Sequence, residues 1–181
     1  MAFTTIPGAS TSDLTTLQGT SGSDTASIST SSLFVGARAS DDTITFTSNT
    51  SGNTIYGGQG SDTITSDNTI SGSLINANKD TDTLTLNTVT SSTIKGGAAG
   101  DAITVTTVNS STINGNKGSD YLEFASSDSA TLRAGADDDQ IVLTGAHSGS
   151  SINGDNENDT ITAVAGSSFG TAILSGGEGN D

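Results

Sequence analysis

The sequence contains no cysteine and no tryptophan, a single proline, and only 5 lysine and arginine residues against 20 aspartate and glutamate residues. The absence of cysteine excludes a disulfide framework and thiolate metal sites. Hydrophobic residues make up 30% and aromatic residues 4% of the 181 residues, which is low for a layered globular core and approaches the composition of a disordered chain. The formal charge of −15 disfavours nucleic acid and anionic lipid as partners and favours divalent cations.

Signals for helices, membrane spans and secretory leaders are also missing. No apolar run approaches the roughly 18 residues that a transmembrane helix needs. The N-terminal stretch MAFTTIPGASTSDLTTLQGT has neither a basic region nor an apolar one, so no ordinary secretory signal is visible. No segment repeats apolar residues at helical spacing, and the high content of Thr, Ser, Gly and Asn disfavours helix. We therefore expect a chain without helices or a membrane span.

An internal repeat emerges when the sequence is aligned on aspartate. An apolar residue, which we call the anchor, precedes an aspartate by seven positions throughout, and successive aspartates are 18 to 22 residues apart. The pairs are Leu17/Asp24, Val35/Asp42, Ile55/Asp62, Ile75/Asp82, Ile94/Asp101, Ile113/Asp120, Leu132/Asp139, Ile152/Asp159 and Leu174/Asp181. A fixed interval of this kind is not expected from a merely biased composition, and it argues against disorder.

Further apolar columns follow each aspartate with a period of two residues, as in Ile64 after Asp62 and in Leu84 and Leu86 after Asp82. This alternation, rich in β-branched residues, indicates two short strands per repeat. A single repeat cannot bury its apolar face, but stacked repeats convert each column into a continuous ladder. The sequence therefore predicts an all-β fold, a parallel β-solenoid of about nine coils at 17–181, with 1–16 as a lead-in or cap.

The segment before each aspartate has the composition of a tight turn. The second residue after the anchor is always Gly or Ala, and the next is often Gly or Asn, which tolerate positive φ. Stacking would place like carboxylates about 5 Å apart in a column, which is destabilising unless a cation intervenes or protons are taken up. Calcium is the natural counterion, because it takes carboxylate and backbone carbonyl oxygens with flexible geometry.

The stretch GGQGSDTIT at Gly57–Thr65 resembles the nonapeptide of the RTX (repeats-in-toxin) family, and GGEGND at Gly176–Asp181 resembles its first part. The resemblance implies a β-roll-like solenoid that binds Ca²⁺ between turns through turn carbonyls and aspartate carboxylates. The implied metal-site residues are Gly57, Gly58, Gly60, Asp62, Asp82, Gly176, Gly177, Gly179 and Asp181, with looser sites at Gly19, Gly22, Asp24, Asp42, Asp101, Gly115, Gly118, Asp120, Asp139 and Asp159.

The chain departs from the RTX pattern in two ways. Each coil has one such turn instead of two, and several copies lose glycines, as NANKDTD does at Asn76–Asp82. All five basic residues lie in these same turns, so an alternative is that Lys or Arg neutralises the aspartates on some coils in place of calcium. These residues are Arg38, Lys79, Lys95, Lys117 and Arg133.

These features favour a non-catalytic, calcium-binding structural module of a secreted or cell-surface bacterial protein. The resemblance points to type I secretion and to surface layers, adhesins or filaments, including those of cyanobacteria, and open ends would allow self-association end to end or in a lattice. The alternative is an ice-binding solenoid, because the pairs Thr43/Thr45, Thr63/Thr65 and Thr83/Thr85 send T-x-T side chains outward. Scarce aromatics and short loops argue against an enzyme, and we expect His147, the only histidine, to lie in a turn.

Overall fold

A computed structural model describes residues Thr4–Thr5 and 16–181, and in those residues every regular element is a β-strand. Ten strands form one sheet: β1 Thr4–Thr5, β2 Thr16–Gln18, β4 Phe34–Ala39, β7 Thr54–Gln59, β9 Leu74–Lys79, β11 Thr93–Ala98, β13 Thr112–Lys117, β15 Thr131–Ala136, β17 Ser151–Asn156 and β19 Ile173–Glu178. Nine strands form the other: β3 Thr25–Ile28, β5 Thr43–Phe46, β6 Thr50–Ser51, β8 Thr63–Ser71, β10 Thr83–Thr90, β12 Ala102–Asn109, β14 Tyr121–Asp128, β16 Gln140–Ser148 and β18 Thr160–Ala163.

The chain alternates between the two sheets and advances by one strand position at each coil. Neighbouring strands pair in parallel, apart from β1, which pairs antiparallel with β2. The strand register places equivalent residues of successive repeats side by side. Ile94 pairs with Ile75 and Ile113, and Leu84 pairs with Ile64 and Ile103. These pairings confirm the predicted parallel β-solenoid of about nine coils.

The core is a narrow space between the sheets that the predicted apolar columns fill. Anchor residues such as Ile55 and Ile94 are fully buried, as are Ile103 and Val105 from the opposite sheet. In each column, equivalent residues of successive coils lie about 4.8 Å apart, which is the spacing between strands. Every coil therefore covers the apolar face of the preceding coil. This packing explains how a chain with 30% hydrophobic residues keeps a continuous core.

The prediction that His147 lies in a turn is wrong. His147 belongs to β16, is 1% exposed, and its Nδ1 lies 2.9 Å from the Oγ of Ser127. Its ring stacks on Phe169 with the centroids 5.6 Å apart, and burial lowers the pKa of the imidazole, which favours its neutral form. The register explains this position, since His147 pairs with Ser127 in the core column that Val108 and Val89 occupy on earlier coils.

Of the lead-in predicted at 1–16, only Thr4, Thr5 and Thr16 are among the described residues, and residues 1–3 and 6–15 lie outside them. The described residues include no helix long and apolar enough to cross a membrane.

Candidate metal-binding edge

The backbone of the predicted turn is the same on most coils, whether or not glycine is present. In the best copy, Gly58 and Gly60 have φ values of +127° and +105°. On the next coil the equivalent Asn78 and Asp80 have φ values of +86° and +69°. The left-handed pair recurs at Arg38/Ser40, Gly97/Ala99, Asn116/Gly118, Gly135/Asp137, Asp155/Glu157 and Gly177/Gly179. Copies with lost glycines therefore keep the turn, and position their aspartates in the same way.

The nine predicted aspartates form one column along the edge of the solenoid that these turns make. At this edge the chain leaves a strand of the ten-stranded sheet and enters the nine-stranded sheet. We call this set the aspartate column: Asp24, Asp42, Asp62, Asp82, Asp101, Asp120, Asp139, Asp159 and Asp181. The first eight are 0–4% exposed. Each Oδ1 from Asp42 onward accepts a hydrogen bond from the backbone N–H of the preceding aspartate in the column, with N···O distances of 2.6–3.0 Å.

The second carboxylate oxygen has no such partner. From Asp42 to Asp159, every Oδ2 is buried and makes no hydrogen bond within the described protein. The surroundings of Gly57 indicate where this oxygen points. A Cβ added to Gly57 would clash with Oδ2 of Asp62 and would lie only 2.6 Å from the carbonyl oxygen of Ala77 on the next coil. Two oxygens from adjacent coils thus converge on the same small space, and the pattern recurs at Gly96, Gly115 and Gly154.

This environment disfavours the charged form of the carboxylates. Burial raises the pKa of Asp101 to about 6, of Asp62 and Asp139 to about 7, and of Asp82 and Asp120 to about 8, and the hydrogen bond from the backbone offsets only part of this rise. Like charges on neighbouring coils raise the pKa of Asp82 and Asp120 further. At these five aspartates, a proton or a bound cation would offset the cost of burying the charged carboxylate near neutral pH.

The basic side chains do not supply that cation. Among the described residues, the one ion pair joins Arg133 to Asp155, with Nε 2.7 Å from Oδ2. Arg38 instead donates to the side-chain oxygen of Gln18, and no lysine pairs with the aspartate column. No lysine or arginine forms an ion pair with the aspartate column among the described residues, so the structure does not support the alternative that Lys or Arg neutralises the aspartates.

The first turn differs from the others. In GTSGSD at Gly19–Asp24, Oδ2 of Asp24 accepts hydrogen bonds from the backbone N–H and the hydroxyl of Thr20, at 2.5 and 3.0 Å. Neither Thr20 nor Gly22 has a positive φ. In the last turn, Gly177 and Gly179 keep the left-handed pair, with φ values of +121° and +156°, and Asp181 accepts the N–H of Asp159.

The residues present fit a hard cation such as Ca²⁺. No three acidic or histidine side chains converge on one point in the described part of the chain, so carboxylates alone do not make a site. Carboxylate Oδ2 atoms and inward-facing carbonyl oxygens do converge, and both are ligands that calcium prefers. Asp62 with Asp82, and Asp101 with Asp120, are pairs from adjacent coils that fit this donor set.

A second ladder on the opposite edge was missed by sequence reasoning. We call it the serine column; it occupies the position two residues before the anchor and comprises Asn53, Ser73, Ser92, Ser111, Ala130 and Ser150. Ser92 Oγ accepts the N–H of Ser73 at 3.0 Å and donates to the carbonyl oxygen of Thr90 at 2.8 Å. Ser73 and Ser111 have the same pair of bonds. The signal for this column is its fixed position two residues before the anchor, which the abundance of serine throughout the chain obscures.

The fold and its two ladders define the class of protein: the chain is a β-solenoid repeat with the architecture of a structural repeat module. Comparison with family models, with curated protein sequences and with solved structures finds no match.

Proposed function

We propose that the chain is a non-catalytic, calcium-binding structural module of a secreted or cell-surface bacterial protein, in which Ca²⁺ links adjacent coils through the aspartate column. The observation that supports this proposal is the run of buried Oδ2 atoms without a partner, from Asp42 to Asp159. A buried polar atom left unpaired costs about 1–3 kcal/mol, and more if it is charged. A run of such atoms on successive coils is not expected unless a ligand or proton satisfies them.

Asp62, Asp82, Asp101, Asp120 and Asp139 would hold the ions, together with inward carbonyl oxygens such as that of Ala77. Bound calcium would supply the positive charge that these buried carboxylates lack. The protein's own part is to fix the carboxylates: each Oδ1 is held by a backbone N–H of the adjacent coil, which aims Oδ2 into the turn. Protons compete for the same oxygens, because burial has raised the pKa of these groups to about 6–8.

The location and partners follow from the same proposal. Calcium is abundant outside cells and scarce inside them, so a rod that calcium stiffens would be loose before export and ordered after it. Export by type I secretion and end-to-end or lattice association in a surface layer, adhesin or filament are the settings that suit such a rod.

The test is a thermal melt of the full chain, with far-UV circular dichroism, during calcium and magnesium titrations at pH 7.5. We expect calcium at 100 times its Kd to add about 2.7 kcal/mol per site, and magnesium to add much less. The variant Asp82→Asn/Asp101→Asn should lose most of this gain. The matched control is Asp67→Asn/Asp128→Asn, which removes two exposed acids from the other sheet and should respond to calcium like the parent. An unchanged melting temperature and no calorimetric heat on adding calcium would sink the proposal.

A second candidate function is ice binding, favoured by a regular hydroxyl array on the outer face of the nine-stranded sheet. Thr63 pairs in register with Thr43 and Thr83, and Thr65 pairs with Thr45 and Thr85. The hydroxyls of Thr65 and Thr45 lie 3.2 Å apart. On later coils Tyr121 and Glu123 interrupt both columns. Thermal hysteresis in a calcium-loaded sample, abolished by Thr63→Tyr/Thr83→Tyr, would support this function, and its absence would exclude it.

A further inference from the structure

The basic side chains are confined to one of the two sheets. All five lysine and arginine residues lie in strands of the ten-stranded sheet: Arg38 in β4, Lys79 in β9, Lys95 in β11, Lys117 in β13 and Arg133 in β15. The described strands of the nine-stranded sheet contain the acids Asp67, Glu123 and Asp128 and no lysine or arginine. The ten-stranded sheet also contains the acids Asp155 in β17 and Glu178 in β19, so its strands carry five basic and two acidic residues, whereas the whole chain has a charge of −15.

Four of these cations occupy four consecutive coils in a staggered row, which we call the cation zigzag: Lys79, Lys95, Lys117 and Arg133. Lys95 and Arg133 stand one residue after the anchor, whereas Lys79 and Lys117 stand four residues after it. Ala98 pairs in register with both Lys79 and Lys117, so each cation has an alanine or an asparagine beside it instead of another cation. The stagger gives one positive charge per coil, about 4.8 Å apart along the rod axis and alternating between two positions about 10 Å apart across the sheet.

Amide side chains fill the alternate positions. Lys95 pairs with Asn76 and Asn114, and Arg133 pairs with Asn114 and Asn153. The Oδ1 atoms of Asn76 and Asn153 are buried and lack a hydrogen-bond partner within the described protein. A shallow depression of about 550 Å³ lies beside Asn153, with Lys117, Arg133, Asp155 and Glu178 in its lining. The row thus alternates charged donors with amides that both donate and accept.

Neutralising the aspartate column does not account for these cations. Arg133 pairs with Asp155, whereas Lys79, Lys95 and Lys117 have no carboxylate partner among the described residues. Free lysines aligned on one face of an acidic rod raise the local concentration of an anionic ligand. The fixed spacing of one charge per coil favours a ligand whose own anionic groups recur at a similar distance.

We propose that the cation zigzag is a binding surface for an extended acidic polysaccharide that lies along the rod. A polyuronate has one carboxylate per sugar ring, at a spacing along its axis close to the rise between coils. Nucleic acid fits less well, because its duplex has a charge about every 1.7 Å, far denser than one cation per coil. The surface is separate from the aspartate column and does not depend on calcium.

The test uses isothermal titration calorimetry of the full chain with a short oligogalacturonate, and with its methyl-esterified, uncharged form as the control ligand. We expect the charged ligand alone to bind, more weakly as salt rises, both in chelator and in calcium. The variant Lys95→Gln/Lys117→Gln should weaken binding about 2- to 25-fold, since each exposed ion pair contributes a factor of roughly 1.4 to 5.

The matched control is Thr43→Glu/Thr83→Glu, which changes the net charge by the same amount on the opposite face and should leave the affinity within about twofold of the parent. Equal weakening in both variants would show that overall charge alone matters, and would overturn the proposal. Binding of the esterified ligand, equal binding of duplex DNA, no binding at all, or binding that requires calcium and ignores the lysine substitutions would overturn it as well.

Discussion

The aspartate column and the serine column lie on opposite edges of the solenoid, and both pair a side-chain oxygen with a backbone N–H of the preceding coil. They differ in the hydrogen-bonding capacity that each side chain has left after it accepts this bond. Ser92 uses its hydroxyl fully, because Oγ accepts one bond and donates another. Asp101 uses Oδ1 and leaves Oδ2 buried without a partner. A neutral hydroxyl is therefore sufficient to hold adjacent coils together at an edge. Nine aspartates at the other edge indicate a role that the ladder alone does not explain.

The largest expected difference between the two edges is in their response to pH. In chelator, we expect the melting temperature to fall by roughly 6–12 °C between pH 5 and pH 8, equivalent to at least about 3 kcal/mol. The unfolded chain loses these aspartate protons near pH 3.8, whereas the folded chain keeps them until about pH 6–8. The folded state thus binds more protons in this window, so stability falls as pH rises and levels off above it.

Thermal melts across this pH range, with and without calcium, check the prediction. Calcium should remove the decline, because it replaces the protons that the carboxylates lose. A melting temperature in chelator that rises from pH 5 to pH 8 would mean that the carboxylates are charged and already satisfied in the folded protein.

A smaller change in stability is expected when one aspartate of the aspartate column is replaced by a neutral residue. Asp101→Asn keeps an oxygen for the N–H of Asp82 and replaces the unpaired oxygen by an NH₂ group that faces the carbonyl of Gly115. In chelator at pH 8 we expect it to stabilise the fold by about 1–2 kcal/mol, because a buried unpaired charge is removed. In calcium it should destabilise. Urea unfolding measures both, and the exposed substitution Asp128→Asn is the control; destabilisation under both conditions would contradict the prediction.

The corresponding change at the neutral edge is Ser92→Ala. It leaves the buried N–H of Ser73 without its acceptor and removes the bond to Thr90, which should cost about 1–2 kcal/mol. Since the serine column has no titratable group, the loss should be the same at pH 5 and pH 8, with or without calcium. Urea unfolding under the four conditions checks this, with Ser119→Ala, at an exposed turn position, as the control. A loss that depends on pH would mean that the two edges are coupled.

Particular residues show what the sequence could and could not predict. The Ile–Asp interval predicted both sheets and the aspartate column, because a fixed period in a stacked fold requires equivalent positions. Lost glycines were a poor guide, since Asn78 and Asp80 adopt the left-handed turn themselves. The serine column was hidden because serine is common throughout the chain and so gives no contrast. His147 was misassigned because a single histidine has no period of its own, and only the register with Ser127 reveals its core position.

The smallest change in stability is expected at Ala130, the position where alanine interrupts the serine column. Ala130 is 3% exposed and donates its own N–H to Ser150, but it presents a methyl group where Ser111 and Ser92 present a hydroxyl. Ala130→Ser should supply an acceptor to the N–H of Ser111 and a donor to the carbonyl of Asp128, as the equivalent serines do for their neighbours. We expect a gain of about 0.5–1.5 kcal/mol, or roughly 1–6 °C in melting temperature, at any pH and calcium concentration. Ala125→Ser, on the other sheet, is the control. A drop in stability would mean that the site is too tightly packed for an additional oxygen, and that packing in this coil requires alanine at position 130.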